Sequence, residues 1–251
     1  MSNIIDTALV IMARYPEMGK TKTRLARTLG DVETLSLYRA FLADLAQCHS
    51  GQAYTLCWAY TPAEVDYQSF VASLAPAYAD KMRYFPQQGL GLGARLHNAF
   101  EWTKAQGFQH TVLIGSDSPH ISREIIVRAR AALDEVDVVL GPADDGGYYL
   151  IGMQTQYDVF SGIPMSTAVV TQMTIEAAQR QGLTVRLIDP LFDVDEQSDL
   201  VRLAQLLATD STLAPVTAAH LANMRSIHDD NTNYASNDVA TLNIHRANQP
   251  L

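Results

Sequence analysis

The sequence predicts an α/β domain built on a single Rossmann-like, mainly parallel mixed sheet flanked by helices. Three observations predict it. Continuous apolar runs such as Ala8–Ala13 and Thr111–Ile114 have the pattern of strands buried on both faces. Stretches between such runs carry apolar residues at helical spacing. Strand and helix patterns also alternate along the chain, as parallel strands require, because each needs a crossover to the next.

The elements follow in order. Ala8-Leu-Val-Ile-Met-Ala13 is the first strand, and a loop containing Pro16 and Gly19 leaves it. Asp31 is placed to cap a helix whose stripe is Leu35, Tyr38, Phe41, Leu42 and Leu45. Tyr54–Tyr60 reads as an aromatic-rich strand, Glu64–Leu74 as a weaker helix and Met82–Phe85 as a short strand. After Gly89-Leu-Gly-Leu-Gly93 a helix runs through Leu96, Ala99, Phe100 and Thr103. Thr111–Ile114 is a strand, Ser122–Leu133 a helix, and Val136–Leu140 and Tyr148–Ile151 are strands. Thr171–Gln181 reads as helix, Thr184–Ile188 as strand and Leu200–Leu207 as a closing helix. Residues 1–208 thus form one domain. Residues 209–251 form a C-terminal extension, with a short helix around Ala214–Met224 and an irregular tail from Ser226, rich in Asn, Asp, Thr and His.

Composition narrows the function classes. With 47% hydrophobic residues in 251, the chain has material for a well-buried core. No apolar stretch is long enough for a transmembrane helix, and Met1–Asp6 lacks the pattern of a secretory signal. Cys48 and Cys57 show no metal-ligand spacing and read as free thiols of a cytoplasmic protein. A net charge of −9 argues against nucleic acid as a partner. Against that acidic background, Arg14, Lys20, Lys22, Arg24 and Arg27 crowd into one short segment beside a single acid, Glu17, and point to a small anionic ligand.

Three places carry candidate chemistry. The basic loop leaves the carboxyl end of the first strand, where open α/β sheets bind ligands. Gly19 lets backbone approach a phosphate, and the cations neutralise it. Gly19-Lys-Thr21 resembles part of a P-loop, but that motif requires glycine where Arg14 stands, so the P-loop is rejected. The plainer alternative is a solvated charge cluster, disfavoured because cations at a helix start call for an anion. The second place is Gly115-Ser-Asp-Ser-Pro119, where Asp117 at a strand end suits a hard divalent cation; the alternative is an Asp turn before a helix. The third is acidic, comprising Gly141-Pro-Ala-Asp-Asp-Gly-Gly-Tyr-Tyr149 and Asp193-Val-Asp195. Asp117 and Asp195 together would share one Mg²⁺ or Mn²⁺ ion bound to a nucleotide's diphosphate. The alternatives are a tight β-turn for Asp144 and Asp145, and a helix cap for Asp193 and Asp195.

Arg14-Tyr-Pro-Glu-Met-Gly-Lys-Thr-Lys-Thr-Arg-Leu25 after a strand, Gly115-Ser-Asp-Ser-Pro119, Gly141-Pro-Ala-Asp-Asp-Gly-Gly-Tyr-Tyr-Leu150 and Asp193-Val-Asp195 occur in this order. Together they resemble a bacterial family assigned to the A-type glycosyltransferases, of the nucleotide-diphospho-sugar transferase (GT-A) fold. The resemblance covers residues 8 to about 207. A more distant likeness, through Lys22-Thr-Arg-Leu25, is to phospholactate guanylyltransferase. The resemblance implies a nucleotide wrapped by Ala13, Arg14, Gly19, Lys20, Lys22, Thr23 and Arg24, with Lys22 and Arg24 on its phosphates. It implies Gly89, Gly93 and Arg95 near base or ribose, Asp117 and Asp195 on the metal, and Asp144, Asp145, Gly146, Gly147 and Ser166 on the acceptor side. The chain departs from the family pattern at Arg14 (usually lysine), Gly91 (usually an acid), Met165 (usually tryptophan) and after Asp195.

The leading expectation is a metal-dependent glycosyl transfer from a nucleotide sugar to a small-molecule acceptor, with Asp117, Asp145, Lys22 and Arg24 as catalytic residues and Asp145 as base. The alternative is nucleotidyl transfer from a nucleoside triphosphate to a phosphate- or phosphonate-bearing acceptor, with pyrophosphate leaving. A catalytically inactive nucleotide-binding protein is the third reading, opposed by the intact Asp117 and Asp195.

Overall fold

A computed structural model describes residues 6–224. Its frame is one seven-stranded sheet made of β1 (Thr7–Arg14), β2 (Thr55–Thr61), β3 (Arg83–Pro86), β4 (His110–Gly115), β5 (Val138–Pro142), β6 (Tyr148–Met153) and β7 (Val185–Leu187). The strand order is β3-β2-β1-β4-β6-β5-β7. The first four strands are mutually parallel, β7 runs parallel to β5, and β6 lies antiparallel between β4 and β5. Val10 sits at the centre of this frame, in register with Cys57 on one side and Leu113 on the other. The single reversal follows from the chain, since Ala143–Gly147 is too short to be anything but a hairpin between β5 and β6.

Helices α1 (Thr23–Leu29), α2 (Asp31–His49), α3 (Tyr67–Leu74), α4 (Leu92–Ala105), α5 (Arg123–Ala132), α6 (Val170–Arg180) and α7 (Gln197–Thr209) cover both faces. Successive side chains of β1 divide between two cores, as a period of two demands. Leu9, Ile11 and Ala13 pack with α1, α2, α3, α5 and α7, whereas Ala8 and Val10 pack with α4 and α6. The mainly parallel mixed sheet is therefore as expected from the sequence.

Element boundaries differ from the expected ones where capping chemistry sets them. Asp31 is not a cap but the first residue of α2, whose N-cap is Gly30, so it contributes charge to the first turn instead. The expected helix from Glu64 starts only at Tyr67, where the Asp66 carboxylate accepts the Ser69 N–H at 3.0 Å. The closing helix starts earlier than Leu200, because Glu196 and Asp199 form a reciprocal capping box. Beyond it, residues 215–224 form a helix, α8. The Asp44 carboxylate accepts the Val216 and Thr217 N–H groups, each at 2.8 Å, and Ala214 and Leu221 join the core beneath α2. The tail expected to be irregular from Ser226 lies outside the described residues.

Candidate active site

The segment after β1 is folded on itself before it reaches α1. The Tyr15 N–H donates to the Thr61 carbonyl at 2.7 Å, and the Tyr15 ring packs edge-on against Phe70 at 5.2 Å. Thr21, nearly fully buried, donates its hydroxyl to the Glu17 carbonyl and accepts the Glu17 N–H, both at 3.0 Å. Gly19 takes φ 70, the left-handed conformation such a tight return needs. Lys22 then caps α1 with φ 43 and ψ 54, unusual for a residue with a Cβ. Leu25, fully buried, anchors the helix.

The consequence is at the Lys22 ammonium. Its Nζ lies 2.7 Å from Asp117 Oδ1 and 3.2 Å from Asp195 Oδ1, and donates to the Val194 carbonyl at 2.7 Å. The side chain is only 5% exposed, whereas the two carboxylates are 44% and 47% exposed. Burial by itself lowers an ammonium pKa, but Asp117 and then Asp195 outweigh it and hold Lys22 above its ordinary value. The backbone fixes the triad: Asp117 ends the β4 turn, and its carbonyl accepts the Val194 N–H at 3.0 Å, tying the strand end to the segment that carries Asp195. Asp193 joins this field. Its carboxylate accepts the Ser118 hydroxyl at 2.6 Å, and burial, with help from Asp117 and Asp195, raises its pKa to about 6.

Lys22, Asp117 and Asp195 line a cleft of about 380 Å³ at the carboxyl ends of β1 and β4, with Asp193 behind them and outside the lining. Ala13, Arg14, Lys20, Lys22, Thr23, Arg24, Arg95, Asp117 and Asp195 all contribute to it, so most of the residues expected from the sequence converge. Arg14 and Arg24 are exposed and form no ion pair among the described residues, whereas Lys20 pairs with Glu17 at 2.7 Å. Arg27, counted with the basic cluster, lies further along α1 and is not in the lining.

Sequence reasoning missed the floor. Tyr38 reaches from α2 to place its hydroxyl 2.9 Å from Ser116 Oγ and 3.3 Å from the Arg14 backbone N–H and carbonyl. Burial and the Asp117 carboxylate push this phenol up to about 12, so it stays protonated. Helical periodicity marks Tyr38 only as part of an apolar stripe; its hydroxyl, which must find a partner when buried, is the available signal. Gln87 donates to the Ala13 and Ala59 carbonyls at 3.1 and 2.8 Å, and its side-chain oxygen accepts from Arg95 at 3.4 Å. Nothing in the local sequence marks Gln87.

The remaining expected site residues are not in this lining. Gly19 and Gly89 shape the turns before α1 and α4, with φ of 70 and 111. Gly93 lies against Met165 on the other side of α4. Asp144 pairs with Arg202, and Asp145 Oδ1 accepts the Gly147 N–H at 2.8 Å, closing the hairpin turn. A Cβ on Gly146 would come within 2.1 Å of the Ala168 carbonyl, so this glycine lets two loops touch. Ser166, at φ 66, is exposed on the second of them. The turn alternative thus describes Asp144 and Asp145 as they stand, and neither is joined to Lys22.

The donor set can be tested for a divalent cation. Among the described residues no group of three or more His, Cys, Asp or Glu is arranged to hold a metal. Asp117 and Asp195 each turn one oxygen to Lys22, and the second oxygen of each makes no hydrogen bond within the described residues. Two carboxylates with free oxygens on a polar cleft fit a magnesium-type ion, which takes one or two carboxylates and completes its shell with phosphate and water.

Residues 42–167 match the bacterial protein family DUF2064, described as uncharacterized proteins conserved in bacteria. A crystal structure of a protein from Desulfovibrio desulfuricans G20, provisionally assigned as a nucleotide-diphospho-sugar transferase, shares 34% identity with a TM-score of 0.81. It covers 88% of this chain and 96% of that one. The chain belongs to this family. The DUF2064 match starts after the basic loop, but the crystal structure extends the likeness over most of the chain. Two more distant structures share the fold. The 4-diphosphocytidyl-2C-methyl-D-erythritol synthase of Anaerococcus prevotii DSM 20548 has a TM-score of 0.53 at 10% identity, over 80% of this chain and 98% of that one. A Methanothermobacter nucleotidyl transferase has a TM-score of 0.51 at 13% identity, over 81% and 98%. No protein of curated function matches the chain. The fold is that of the nucleotide-diphospho-sugar transferases. Among the described residues, no helix is long and apolar enough to cross a membrane.

Proposed function

We propose that this DUF2064 member is a metal-dependent transferase acting on a nucleotide-activated substrate, and that the reaction is glycosyl transfer from a nucleotide sugar. The observation that carries the reading is the convergence of Arg14, Arg24 and Arg95 with the Lys22–Asp117–Asp195 cluster around one cleft. The assignment of the Desulfovibrio relative as a nucleotide-diphospho-sugar transferase supports it.

In this reading the exposed guanidinium groups of Arg14 and Arg24 bind the phosphates, in the fork geometry that suits them. Arg95, steadied by Gln87, faces the same cleft from the α4 side. Asp117 and Asp195 would hold Mg²⁺ or Mn²⁺, which when bound supplies positive charge against the leaving diphosphate. Lys22, protonated and fixed, keeps the two carboxylates at a set spacing and balances their charge. Tyr38 holds Ser116 and the Arg14 backbone, so the β1 and β4 ends keep their relation as substrate enters. Asp145 has no part in this scheme.

Nucleotidyl transfer is the second reading, and the density of cations favours it. Arg14, Lys20, Arg24 and Arg95 line one small cleft above the Lys22 ion pairs, enough to face a triphosphate. Calorimetry with UDP-, GDP- and ADP-sugars and with the matching triphosphates, each with and without Mn²⁺, tests both. Mn²⁺-dependent binding of a nucleotide sugar, with its turnover, supports glycosyl transfer. Pyrophosphate release from a triphosphate in the presence of an acceptor makes the second reading correct. Absence of any nucleotide binding overturns both.

A further inference from the structure

Helix α4 separates two clefts, and only the first holds the site described above. At about 100° per residue, positions 92 and 95 face one way and positions 93, 94, 97 and 98 the other. Leu92 and Arg95 accordingly line the basic cleft, while Gly93, Ala94, His97 and Asn98 line a second one of about 610 Å³. Leu92 belongs to both, so the two cavities meet at the start of α4.

The second cleft has a different chemistry. Its far wall is the 158–165 segment, which brings Phe160, Ile163 and Met165. Leu90 stands at its mouth 99% exposed and Leu92 44% exposed, two large apolar side chains one residue apart in water. No lysine or arginine contributes to the lining, in contrast to the five next door. Its one carboxylate is Asp158, which accepts the N–H groups of Phe160 and Ser161 at 3.4 and 3.1 Å, and the His97 imidazole is the one titratable base in the lining. Gly93 gives the Met165 methyl room against the helix, since a Cβ there would meet it at 3.1 Å.

Resting on the nucleotide reading of the first cleft, we infer that the second cleft is the acceptor subsite and that it takes an acceptor with an apolar body and no phosphate. The contact at Leu92 presents the acceptor's near end to the nucleotide, and Asp158 with the absence of cations rejects an anionic acceptor by unpaired charge. The inference also bears on the choice of reaction. The nucleotidyl transfer of the second reading has a phosphate or phosphonate on its acceptor, which this lining does not accommodate, whereas a hydroxyl acceptor for glycosyl transfer fits it.

Methionine methyl groups report on the two clefts separately, because Met12 lines the first and Met165 the second. The full chain carrying ¹³C-methyl methionine, assigned with Met12→Leu and Met165→Leu, is titrated with n-octanol, n-octyl phosphate and, independently, ADP with Mg²⁺. The expected result is saturable movement of the Met165 signal by n-octanol with Met12 unmoved. The octyl phosphate should bind about tenfold more weakly, as expected for a charge with no partner. Leu90→Ser, at a fully exposed position that cannot unsettle the core, should weaken n-octanol about fivefold by withdrawing apolar contact. Equal or tighter binding of octyl phosphate, an unaffected Leu90→Ser variant, or a Met165 signal that no probe moves would each overturn the inference. The ADP arm reads the first cleft alone: a Met12 signal indifferent to ADP overturns the nucleotide reading instead.

Discussion

Lys22 Nζ sits 2.7 Å from Asp117 Oδ1, an ion pair that joins residues 95 positions apart and closes the floor of the basic cleft. It gives the cleft a fixed, nearly buried positive charge beneath two half-exposed negative ones.

Replacing that charge should be costly in two ways. Lys22→Met leaves Asp117 and Asp195 facing each other without a counter-ion. The expected loss of stability is about 1–3 kcal/mol, below the range for a fully buried pair because both carboxylates keep water. Urea denaturation measures it. Nucleotide affinity should fall at least about tenfold, which is about 1.4 kcal/mol, by calorimetry. A variant that binds nucleotide as the parent does would remove Lys22 from the site.

Asp117→Asn and Asp145→Asn should separate the two acidic regions. The first should abolish the Mn²⁺ dependence of nucleotide binding while the fold survives, since Asp117 is 44% exposed. The second should leave the hairpin turn in place, because the asparagine carbonyl can still accept the Gly147 N–H, with nucleotide affinity and its Mn²⁺ dependence unchanged. Loss of Mn²⁺ dependence in Asp145→Asn would return that residue to the catalytic set.

Tyr38→Phe removes the hydroxyl that holds Ser116 and the Arg14 backbone. The buried partners lose a hydrogen bond, an expected cost of about 1–2 kcal/mol. Circular dichroism melts report the stability. A weakened nucleotide affinity with intact secondary structure is the signature of a positioning role, and unchanged affinity would confine Tyr38 to the core.

The fold should also respond to acid through two buried histidines. Burial, with Arg123 near His49 and Arg202 near His120, lowers both to about 4 from an ordinary 6.5. Between those values the unfolded chain binds more protons, so stability is full above about pH 6.5 and falls as pH drops toward 4. Each histidine contributes up to about 1.4 kcal/mol per pH unit across that window. Asp193, raised to about 6, titrates in the opposite sense, so the comparison of parent with His49→Gln isolates one term. The variant should lose less stability on acidification in urea titrations at pH 7, 5.5 and 4.5. An identical slope would show that His49 is not the buried neutral group described.

Gly146→Ala should be the most damaging single change in the acidic hairpin. The backbone there has φ 87, and the new methyl would meet the Ala168 carbonyl carbon and oxygen within 2.6 Å. A loss above about 2 kcal/mol in urea denaturation is expected, combining strain with overpacking. A stable Gly146→Ala variant would mean that the two loops are not in contact.

The strand–helix alternation, the two-faced core and the basic loop are legible in the chain before any folding, because these follow from local periodicity and composition. Ala8–Ala13 carries the pattern of a strand buried on both faces, and the basic residues from Arg14 to Arg24 follow at its carboxyl end. The sequence also marked Asp117 and Asp195 as acids after strands. Tertiary structure alone decided that one lysine would stand between those acids, since the approach depends on the left-handed turn at Lys22 and on the Asp117–Val194 hydrogen bond. It likewise decided that Asp145 would close a turn and Asp144 would pair with Arg202. A carboxylate in a glycine-rich loop has the same local signature whether it faces a substrate or its own backbone. The partition of two clefts by α4 was equally out of reach of periodicity, which shows that a helix has two sides but not what stands across from each.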